Sequence, residues 1–465
     1  MAYDPETTEV VIIGAGLSGL QAARLLHEAG VTTVVLEARS RIGGKTWSIL
    51  AGPNGNSVAD LGAEWLNDTT QPHVYQLARS LGLEFTEVQV KGDAVLHLKR
   101  SEVDETVIRH PYGEQPLLPD GEDVVIQHMK DIFEEEYKNI DLTRPHQCDH
   151  DDITLEDFVR SRGGGPATLA TVAVWTRVML GCEPGDLSAA SFFVYCQSQG
   201  GLMKMRSGKV QGRYLTVTTG TQSIAEGLAA SMPQGTIRLG TAVESIIQKS
   251  DGVDVYSTTG LVFRARKVIV AFSTPLYKKI NFDPPLPPRK AFLVQNTALG
   301  YYTKVMASYS RPWWRENGLS GASQSFLGPA AATRDTSDDS RSHFRLTSFI
   351  AGQPGREWSR LPAADRKAAA LKQLALIFSS DDAHYPVEYI EQQWSSEEWS
   401  LGCPCPYTPP AVLTKEGDCL TEPYGHVHFV GTETAVEWKG YMEGALTAGI
   451  RGAREIAKLI GGVKI

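Results

Sequence analysis

The sequence predicts an α/β protein whose parallel sheet is assembled from segments that lie far apart in the chain. Residues 9–13 read E-V-V-I-I, residues 267–272 read K-V-I-V-A-F, and residues 426–433 read H-V-H-F-V-G-T-E. Short apolar runs bounded by turn residues are typical of parallel strands that are covered on both faces. A helical stripe with spacings of three and four follows the last run, formed by Met442, Leu446, Ile450, Ala453 and Ile456.

The first strand runs into a glycine-rich turn, residues 14–19, which read G-A-G-L-S-G. Gly14 permits the tight turn, Gly16 lets the backbone approach a pyrophosphate, and Gly19 lets the following helix pack close to the strand. The next strand ends at Glu37, whose carboxylate is placed to accept hydrogen bonds from a ribose diol. This pattern predicts a Rossmann-like domain that binds an adenine dinucleotide through Gly14, Ala15, Gly16, Leu17, Ser18, Gly19 and Glu37.

The stretches between these segments predict a second domain of mixed sheet and helices. Residues 125–133 have helical periodicity, and Thr154 can cap a helix because Asp157 follows it by three residues. Residues 333–343 read T-R-D-T-S-D-D-S-R-S-H, a polar run rich in breakers. Such a run predicts a surface loop.

The composition and charge of the chain indicate which classes of protein it can belong to. The chain has 465 residues, of which 42% are apolar and 21% charged, as in an ordinary globular protein of two domains. A formal charge of −9 argues against nucleic acid as a partner and mildly favours cationic ligands such as amines. The N-terminus lacks signal-peptide features, and no apolar run reaches the ~18 residues of a membrane span. We therefore expect a soluble, cytoplasmic protein with no integral membrane segment.

The cysteines predict neither a disulfide framework nor a metal site. Six cysteines are scattered over the long chain, so most are expected to be buried thiols. The one cluster with metal-ligand residue types does not match a standard zinc spacing, and its histidines fall in a predicted strand. That cluster consists of Cys403, Cys405, Cys419, His426 and His428.

A longer string after the glycine turn indicates the family. Residues 37–46 read E-A-R-S-R-I-G-G-K-T, and residues 60–65 read D-L-G-A-E-W. They resemble the E-A-R-x-R-x-G-G-R-T and D-x-G-x-x-W/Y segments of the flavin-containing amine oxidases, closest to the monoamine oxidases but without the C-terminal membrane helix of mitochondrial members. Lys45 replaces the usual arginine and keeps its charge without the planar fork, or it is simply a surface lysine. The resemblance implies FAD bound by Ala38, Arg39, Arg41, Gly43, Gly44, Lys45, Thr46, Gly62, Ala63, Glu64 and Trp65.

A second resemblance concerns attachment of the flavin. Residues 394–403 read W-S-S-E-E-W-S-L-G-C and resemble the W-x-x-x-x-Y-S-G-G-C segment of monoamine oxidases. In that subfamily the cysteine carries the flavin as a thioether at the 8α carbon. The resemblance therefore implies FAD attached covalently through Cys403, with Trp394 as a neighbour in the cofactor site. The alternatives are a free Cys403 beside a non-covalent flavin, and attachment at Cys405.

Two further motifs supply the catalytic candidates. Residues 298–305, A-L-G-Y-Y-T-K-V, resemble a family run whose lysine holds a water against flavin N5, and this lysine is Lys304. An ammonium there can stabilise negative charge as oxygen is reduced. Residues 431–435 and 440–445, G-T-E-T-A and G-Y-M-E-G-A, resemble the most specific motif of the family, in which Tyr441 is one wall of an aromatic cage for the amine. The helix that begins there would direct N–H groups at the flavin pyrimidine, adding to the cofactor site Gly431, Thr432, Glu433, Gly440, Tyr441 and Met442.

The substrate cavity departs from the family pattern at one position. The second cage wall of monoamine oxidases is a tyrosine directly after the cysteine, where this chain has Pro404. Either the cage has one wall, or a tryptophan such as Trp394, Trp438 or Trp65 replaces the other. A Q-G-R segment at residues 211–213 resembles a family segment near the cavity. The expected cavity residues are Gln211, Tyr195, Pro404 and Tyr441, and Val243 is expected to pair its backbone with adenine.

The resemblance implies an FAD-dependent amine oxidase. An amine would be oxidised to an imine, which hydrolyses to an aldehyde or ketone plus ammonia or an amine, while O2 becomes H2O2. We expect the FAD-binding domain to comprise residues 1–80, 210–285 and 395–465, and the substrate-binding domain residues 81–209 and 286–394. The oligomeric state stays open, with a homodimer as one option.

Three other functions are compatible with the sequence. A polyamine oxidase would need acids in a long tunnel, and Glu64 is a candidate. An L-amino acid oxidase would need an arginine for the substrate carboxylate, which no motif indicates. In a non-catalytic flavoprotein scaffold FAD would support a protein interface, but such a scaffold needs neither Lys304 nor Cys403.

Overall fold

The computed structural model describes residues 4–52, 54–101, 104–205 and 215–461 of the chain, and these form five sheets and thirteen α-helices. The strands are β1 (Glu6–Thr7), β2 (Val10–Ile13), β3 (Thr33–Leu36), β4 (Ser48–Ala51), β5 (Ser57–Asp60), β6 (Trp65–Leu66), β7 (Phe85–Glu87), β8 (Asp93–Ser101), β9 (Asp104–Pro111), β10 (Leu215–Val217), β11 (Ile237–Arg238), β12 (Val243–Gln248), β13 (Val253–Ser257), β14 (Val262–Ala265), β15 (Lys267–Val270), β16 (Asn281–Asp283), β17 (Tyr302–Tyr309), β18 (Leu319–Ser325), β19 (Ala330–Asp335), β20 (Phe344–Ala351), β21 (Glu388–Gln393) and β22 (Val427–Phe429). The α-helices are α1 (Leu17–Glu28), α2 (Pro72–Ser80), α3 (Glu122–Tyr137), α4 (Leu155–Ser161), α5 (Pro166–Leu180), α6 (Ala189–Ser198), α7 (Gln222–Ala230), α8 (Pro288–Asn296), α9 (Trp313–Glu316), α10 (Gly352–Ser359), α11 (Ala363–Phe378), α12 (Leu413–Glu416) and α13 (Met442–Ile460).

A parallel five-stranded sheet is built from the apolar runs that the sequence singled out. Its strand order is β11-β3-β2-β15-β22, so β15 and β22 lie beside β2 although they come much later in the chain. Val10 and Ile12 of β2 face a core shared with α1 and α13, whereas Val11 and Ile13 face a core shared with β13 and β14. Burial on both faces explains why these strands are uninterrupted apolar runs.

Glycines let helix α1 pack closely against both the glycine turn and helix α13. A Cβ at Gly19 would lie 2.0 Å from the carbonyl oxygen of Gly14, and a Cβ at Gly449 would lie 2.4 Å from that of Ser18. The turn before α1 needs glycine as well, since Gly14 has φ +106°. These close contacts hold the glycine turn against the end of the parallel sheet.

Three other groups of strands, β1-β14-β13-β12-β16, β6-β10-β7 and β4-β5, form further sheets. Much of the remaining chain forms a mixed sheet and a helical cluster, as expected. The seven-stranded sheet has the order β21-β17-β20-β19-β18-β8-β9, in which β18 and β8 run parallel and the other neighbours antiparallel. Helices α3 to α6 pack around Phe133, which is fully buried among aromatic rings. Thr154 caps α4 as predicted, because its Oγ1 accepts a hydrogen bond from the Asp157 N–H at 3.0 Å. The exact domain boundaries stay a prediction.

The interpretation of residues 333–343 as a surface loop was wrong for their first third. Thr333 and Asp335 are buried near the end of β19. Their polar groups are paired: Asp335 accepts hydrogen bonds from Trp314 Nε1 at 2.7 Å and Arg315 Nε at 2.6 Å. Satisfied polar side chains can lie inside a sheet, so polarity alone did not mark a loop here.

No α-helix in the described part of the chain has the length and apolar character needed to cross a bilayer.

Candidate functional site

A large cavity with a volume of about 270 Å³ lies at the carboxyl ends of the parallel strands. Its walls come from the segments that follow β2, β3, β15 and β22, which is where doubly wound sheets bind ligands. The opposite walls come from β17 and β20 of the mixed sheet and from α5 and α6. The cavity therefore joins the parallel sheet to the rest of the molecule.

One end of the cavity is a cradle of backbone. The Gly43 N–H donates to the Ala15 carbonyl at 2.8 Å, and a Cβ at Gly44 would lie 3.2 Å from the Gly16 Cα. The Glu37 carboxylate is 4% exposed and accepts hydrogen bonds from the Ala15 N–H at 2.8 Å and the Arg39 N–H at 2.9 Å. Two glycine segments are thus held together at the helix α1 N-terminus, an arrangement that suits a pyrophosphate.

Three basic side chains surround this cradle. Arg39 Nη2 donates to Ser400 Oγ at 2.8 Å. Arg41 stacks on the Trp47 ring at 4.2 Å, and burial, reinforced by Arg39, lowers its pKa to about 10. Lys45 is half-buried and donates from Nζ to the Pro404 carbonyl at 3.1 Å, so it is not a surface lysine.

The middle of the cavity contains a buried ion pair that the sequence did not reveal. Lys304 Nζ donates to Glu64 Oε2 at 2.5 Å and to the carbonyls of Asp60 at 2.5 Å and Gly62 at 3.2 Å. The side chains of Lys304 and Glu64 are 3% and 6% exposed. The ammonium also lies 5.2 Å from the centre of the Trp65 ring. Lys304 on β17 is therefore fixed to the loop that follows β5.

The Asp60 side chain adds a second carboxyl group to this buried region. Burial and the nearby Glu64 charge raise the pKa of Asp60 to about 6. Hydrogen bonds from Ser48 Oγ at 2.5 Å and from the Thr221 N–H at 3.0 Å partly offset that effect. The Asp60 carboxyl group is thus held by donors of the chain just behind the cavity wall.

The two candidate thiols lie in different cavities. Cys403 lines the large cavity, whereas Cys405 lines a smaller one behind it. Burial raises the pKa of the Cys403 thiol to about 12, against the opposing effect of the Lys45 and Lys304 charges. Of the two cysteines, only Cys403 borders the space where the cofactor residues meet.

Aromatic residues surround the remaining part of the cavity. Tyr441 precedes α13 and lines the cavity, and the Trp438 ring packs edge-on against it at 5.1 Å between ring centres. Trp394 and Trp65 line the cavity as well, whereas Trp438 supports Tyr441 from outside the lining. Of the three tryptophans considered as replacements for a cage wall, two therefore reach the cavity.

Most predicted site residues lie in the cavity wall. Five predicted residues lie outside the wall. Ala15 and Gly19 belong to the glycine turn, and Ala38 and Arg41 lie next to wall residues in the chain. Val243 is buried at the start of β12. Gln211 lies outside the described residues. The predicted residues in the wall are Gly14, Gly16, Leu17, Ser18, Glu37, Arg39, Gly43, Gly44, Lys45, Thr46, Gly62, Ala63, Glu64, Trp65, Tyr195, Lys304, Trp394, Cys403, Pro404, Gly431, Thr432, Glu433, Gly440, Tyr441 and Met442.

Sequence reasoning missed other wall residues. Phe272 and Ser273 directly follow the predicted strand β15, so their place at its carboxyl end was a usable signal. The apolar residues of α5, β17 and β20 carried no such signal, because they resemble ordinary core residues. The missed residues are Leu61, Val178, Met179, Ala271, Phe272, Ser273, Leu276, Tyr302, Phe349, Trp399, Ser400 and Ala445.

Fold and site together define a flavoprotein oxidoreductase with two domains. The chain belongs to the flavin-containing amine oxidoreductase family, whose model matches residues 17–457. It is 32% identical over 464 residues to a flavin-containing amine oxidase of Danio rerio, a match that covers 99% of this chain and 87% of the relative. The protein is accordingly a flavin-dependent, monoamine oxidase-like oxidoreductase.

Solved structures agree with this assignment. Cyclohexylamine oxidase from Brevibacterium oxydans is 28% identical and superposes with a TM-score of 0.90, covering 97% of this chain and 99% of that one. Putrescine oxidase bound to putrescine is 27% identical with a TM-score of 0.89 and the same coverage. The residues present also fit FAD: glycines form the cradle, and Glu433 Oε2, a buried acceptor with no hydrogen-bond partner among the described residues, can accept from a cofactor hydroxyl.

Replacing Glu64 by alanine tests the buried ion pair. The Lys304 ammonium would stay buried without its counter-ion, so we expect the free energy of unfolding to fall by about 3 kcal/mol or more. Urea unfolding of the FAD-bound protein measures the change. Glu398→Ala is the control, because Glu398 faces Lys279 at 3.6 Å with two thirds of its side chain exposed, and its loss should cost less than about 1 kcal/mol. Equal losses in the two variants would contradict the buried pair.

Proposed function

We propose that the protein oxidises monoamines with an apolar body, using FAD and O2. The observation that carries the proposal is the meeting of Lys304, Cys403 and Tyr441, from three distant segments, in one cavity with apolar and aromatic walls. Bound FAD would supply the redox chemistry, taking two electrons from the amine and passing them to O2. The amine loses one hydrogen from its α-carbon and one from its nitrogen, so its C–N single bond becomes the C=N bond of an imine. O2 takes up both hydrogens and both electrons and leaves as H2O2. Water then hydrolyses the imine.

Tyr441 is proposed to position the amine. An aromatic face attracts the nitrogen and its substituents, and the edge contact with Trp438 restricts the tilt of the Tyr441 ring. Val178, Met179 and Phe349 supply apolar surface in the same cavity for the rest of the substrate. The wall residue Pro404 leaves more room than an aromatic side chain, which favours bulky or secondary amines.

The acidic residues of the cavity favour a monoamine over a polyamine. A second ammonium group would need a carboxylate of its own, and the three acids in the described wall are Glu37, Glu64 and Glu433. Glu37 is held by two backbone N–H groups and Glu64 by Lys304. Glu433 Oε1 accepts from the Thr274 N–H at 2.8 Å, and its other oxygen suits the cofactor. Each acid thus already has a function within the wall.

An amino acid substrate would need a cation for its carboxylate. Arg39 is the arginine of the described wall, and it donates to Ser400 and lies 3.6 Å from Glu397. It also lies at the glycine-cradle end, beside Glu37, rather than beside Tyr441. This arrangement disfavours an L-amino acid oxidase. The Lys304 ammonium is better placed to stabilise the charge that develops on O2, because it is fixed and shielded from water.

Covalent attachment of FAD through Cys403 is part of the proposal. The Cys403 thiol borders the cavity, and the positive charges of Lys45 and Lys304 favour the thiolate that thioether formation requires. Cys405 lies behind the wall and is the less suitable attachment point.

An amine panel tests the proposed function. We expect kcat/KM for cyclohexylamine, and for a bulky secondary amine such as N-methylcyclohexylamine, to exceed that for putrescine by at least about tenfold, because a second buried ammonium would lack a partner. The measurement is H2O2 release under air. A strict preference for putrescine would contradict the monoamine proposal, and absence of H2O2 with every amine would contradict oxidase activity.

Acid precipitation of the yellow protein tests the covalent linkage. We expect the colour to stay in the pellet and the intact mass to exceed that of the chain by one FAD. Cys403→Ala should release FAD on acid treatment, whereas Cys405→Ala, two residues away, should retain it. Release of FAD from the unmodified protein, or from Cys405→Ala alone, would contradict attachment at Cys403.

A further inference from the structure

A second, smaller cavity adjoins the large one and has a volume of about 90 Å³. It shares Tyr195 and Glu433 with the large cavity, so these side chains form the partition between the two. Its other end is bordered by the half-buried side chains of Pro145, Leu413 and Leu420. We call this space the side cavity. Its wall thus includes both half-buried residues and residues that it shares with the large cavity.

The walls of the side cavity are mainly apolar. Leu180, Val194 and Leu293 are each no more than 5% exposed and contribute hydrocarbon surface. Several polar groups in the wall are bonded within the protein: Lys439 Nζ donates to the carbonyls of Glu433 and Ala435, and Thr297 Oγ1 donates to that of Leu293. Burial raises the pKa of the Cys405 thiol to about 12, so it stays neutral. Glu433 Oε2 and Thr408 Oγ1 are the buried wall atoms without a hydrogen-bond partner among the described residues. The hydrocarbon part of the wall suits a small apolar guest.

A third cavity also adjoins the large one, through Val178 and Met179, and it differs in character. Lys130, Arg334 and His110 lie in its wall, together with polar side chains such as Gln115 and Gln324. The side cavity is thus the more apolar of the two neighbours of the large cavity. A charged amine is disfavoured there by desolvation, whereas a small uncharged molecule is not.

We infer that the side cavity holds O2 and delivers it to the reduced cofactor site past Tyr195 and Glu433, separately from the amine. This inference rests on the proposed function, in which O2 takes up the two electrons and two protons lost by the amine and leaves as H2O2. O2 is small, uncharged and apolar, which matches the walls of the side cavity. The amine cation is kept out, so both substrates can be present at once.

Filling the side cavity tests the inference. Val194→Phe adds a ring near the partition, and Leu420→Phe adds one near the surface end and serves as the second variant if the first fails to fold. The bound flavin is reduced photochemically, without amine, and mixed with O2 in a stopped-flow instrument. We expect the second-order rate constant of reoxidation to fall by about tenfold in either variant. The control Val174→Phe makes the same change in the wall of the third cavity and should leave that rate constant unchanged.

A reoxidation rate constant within twofold of that of the unmodified protein in the folded filling variants would overturn the inference. Xenon provides a second measurement: a crystal of the unmodified protein under xenon pressure should show a xenon atom in the side cavity, and a crystal of Val194→Phe should not. An empty side cavity under xenon would also overturn the inference.

Anaerobic reduction by cyclohexylamine is recorded in parallel. If it fails, the proposed function fails, while the photochemical experiment still reports on the side cavity.

Discussion

The buried ion pair between Lys304 and Glu64 is the interaction on which the site depends. Lys304 belongs to β17 of the mixed sheet, and its partners belong to the loop after β5, which borders the glycine cradle. A buried ammonium is tolerated only when its hydrogen bonds are satisfied. These contacts therefore hold β17 of the mixed sheet at a fixed distance from residues 60–64, beside the glycine cradle. The cavity then has a cradle for a dinucleotide at one end and a fixed, buried cation in its wall.

The glycine motif and the parallel strands could be predicted from the sequence because their signals are local. Gly14 and Gly19 are required by the backbone itself, and the apolar run of β2 reflects burial on both faces. The family motifs then identified most of the cavity wall. Phe349 and Met179 could not be found in this way, since an apolar residue that lines a cavity has the same sequence signal as one in a core. Asp335 shows the converse, a polar residue buried because its partners lie elsewhere in the chain.

Sequence spacing also could not separate Cys403 from Cys405. The two thiols are two residues apart, yet they face different cavities, because Pro404 stands between them in the wall. Tyr195 and Glu433 also border both the large cavity and the side cavity. In our proposals, the wall at Cys403 is where FAD is attached, and the wall at Tyr195 and Glu433 is where O2 approaches. The division of the space explains how an oxidase could handle two substrates of opposite polarity.

The most direct test of the account is a measurement of both half-reactions in Lys304→Met, with Lys367→Met on the exposed face of α11 as the control. If the Lys304 cation stabilises the charge on O2, cyclohexylamine should still reduce the flavin anaerobically, while reoxidation by O2 should slow by about 100-fold or more. The control should match the unmodified protein in both steps. Unchanged reoxidation in a folded, FAD-loaded Lys304→Met protein would contradict the central role given to this side chain.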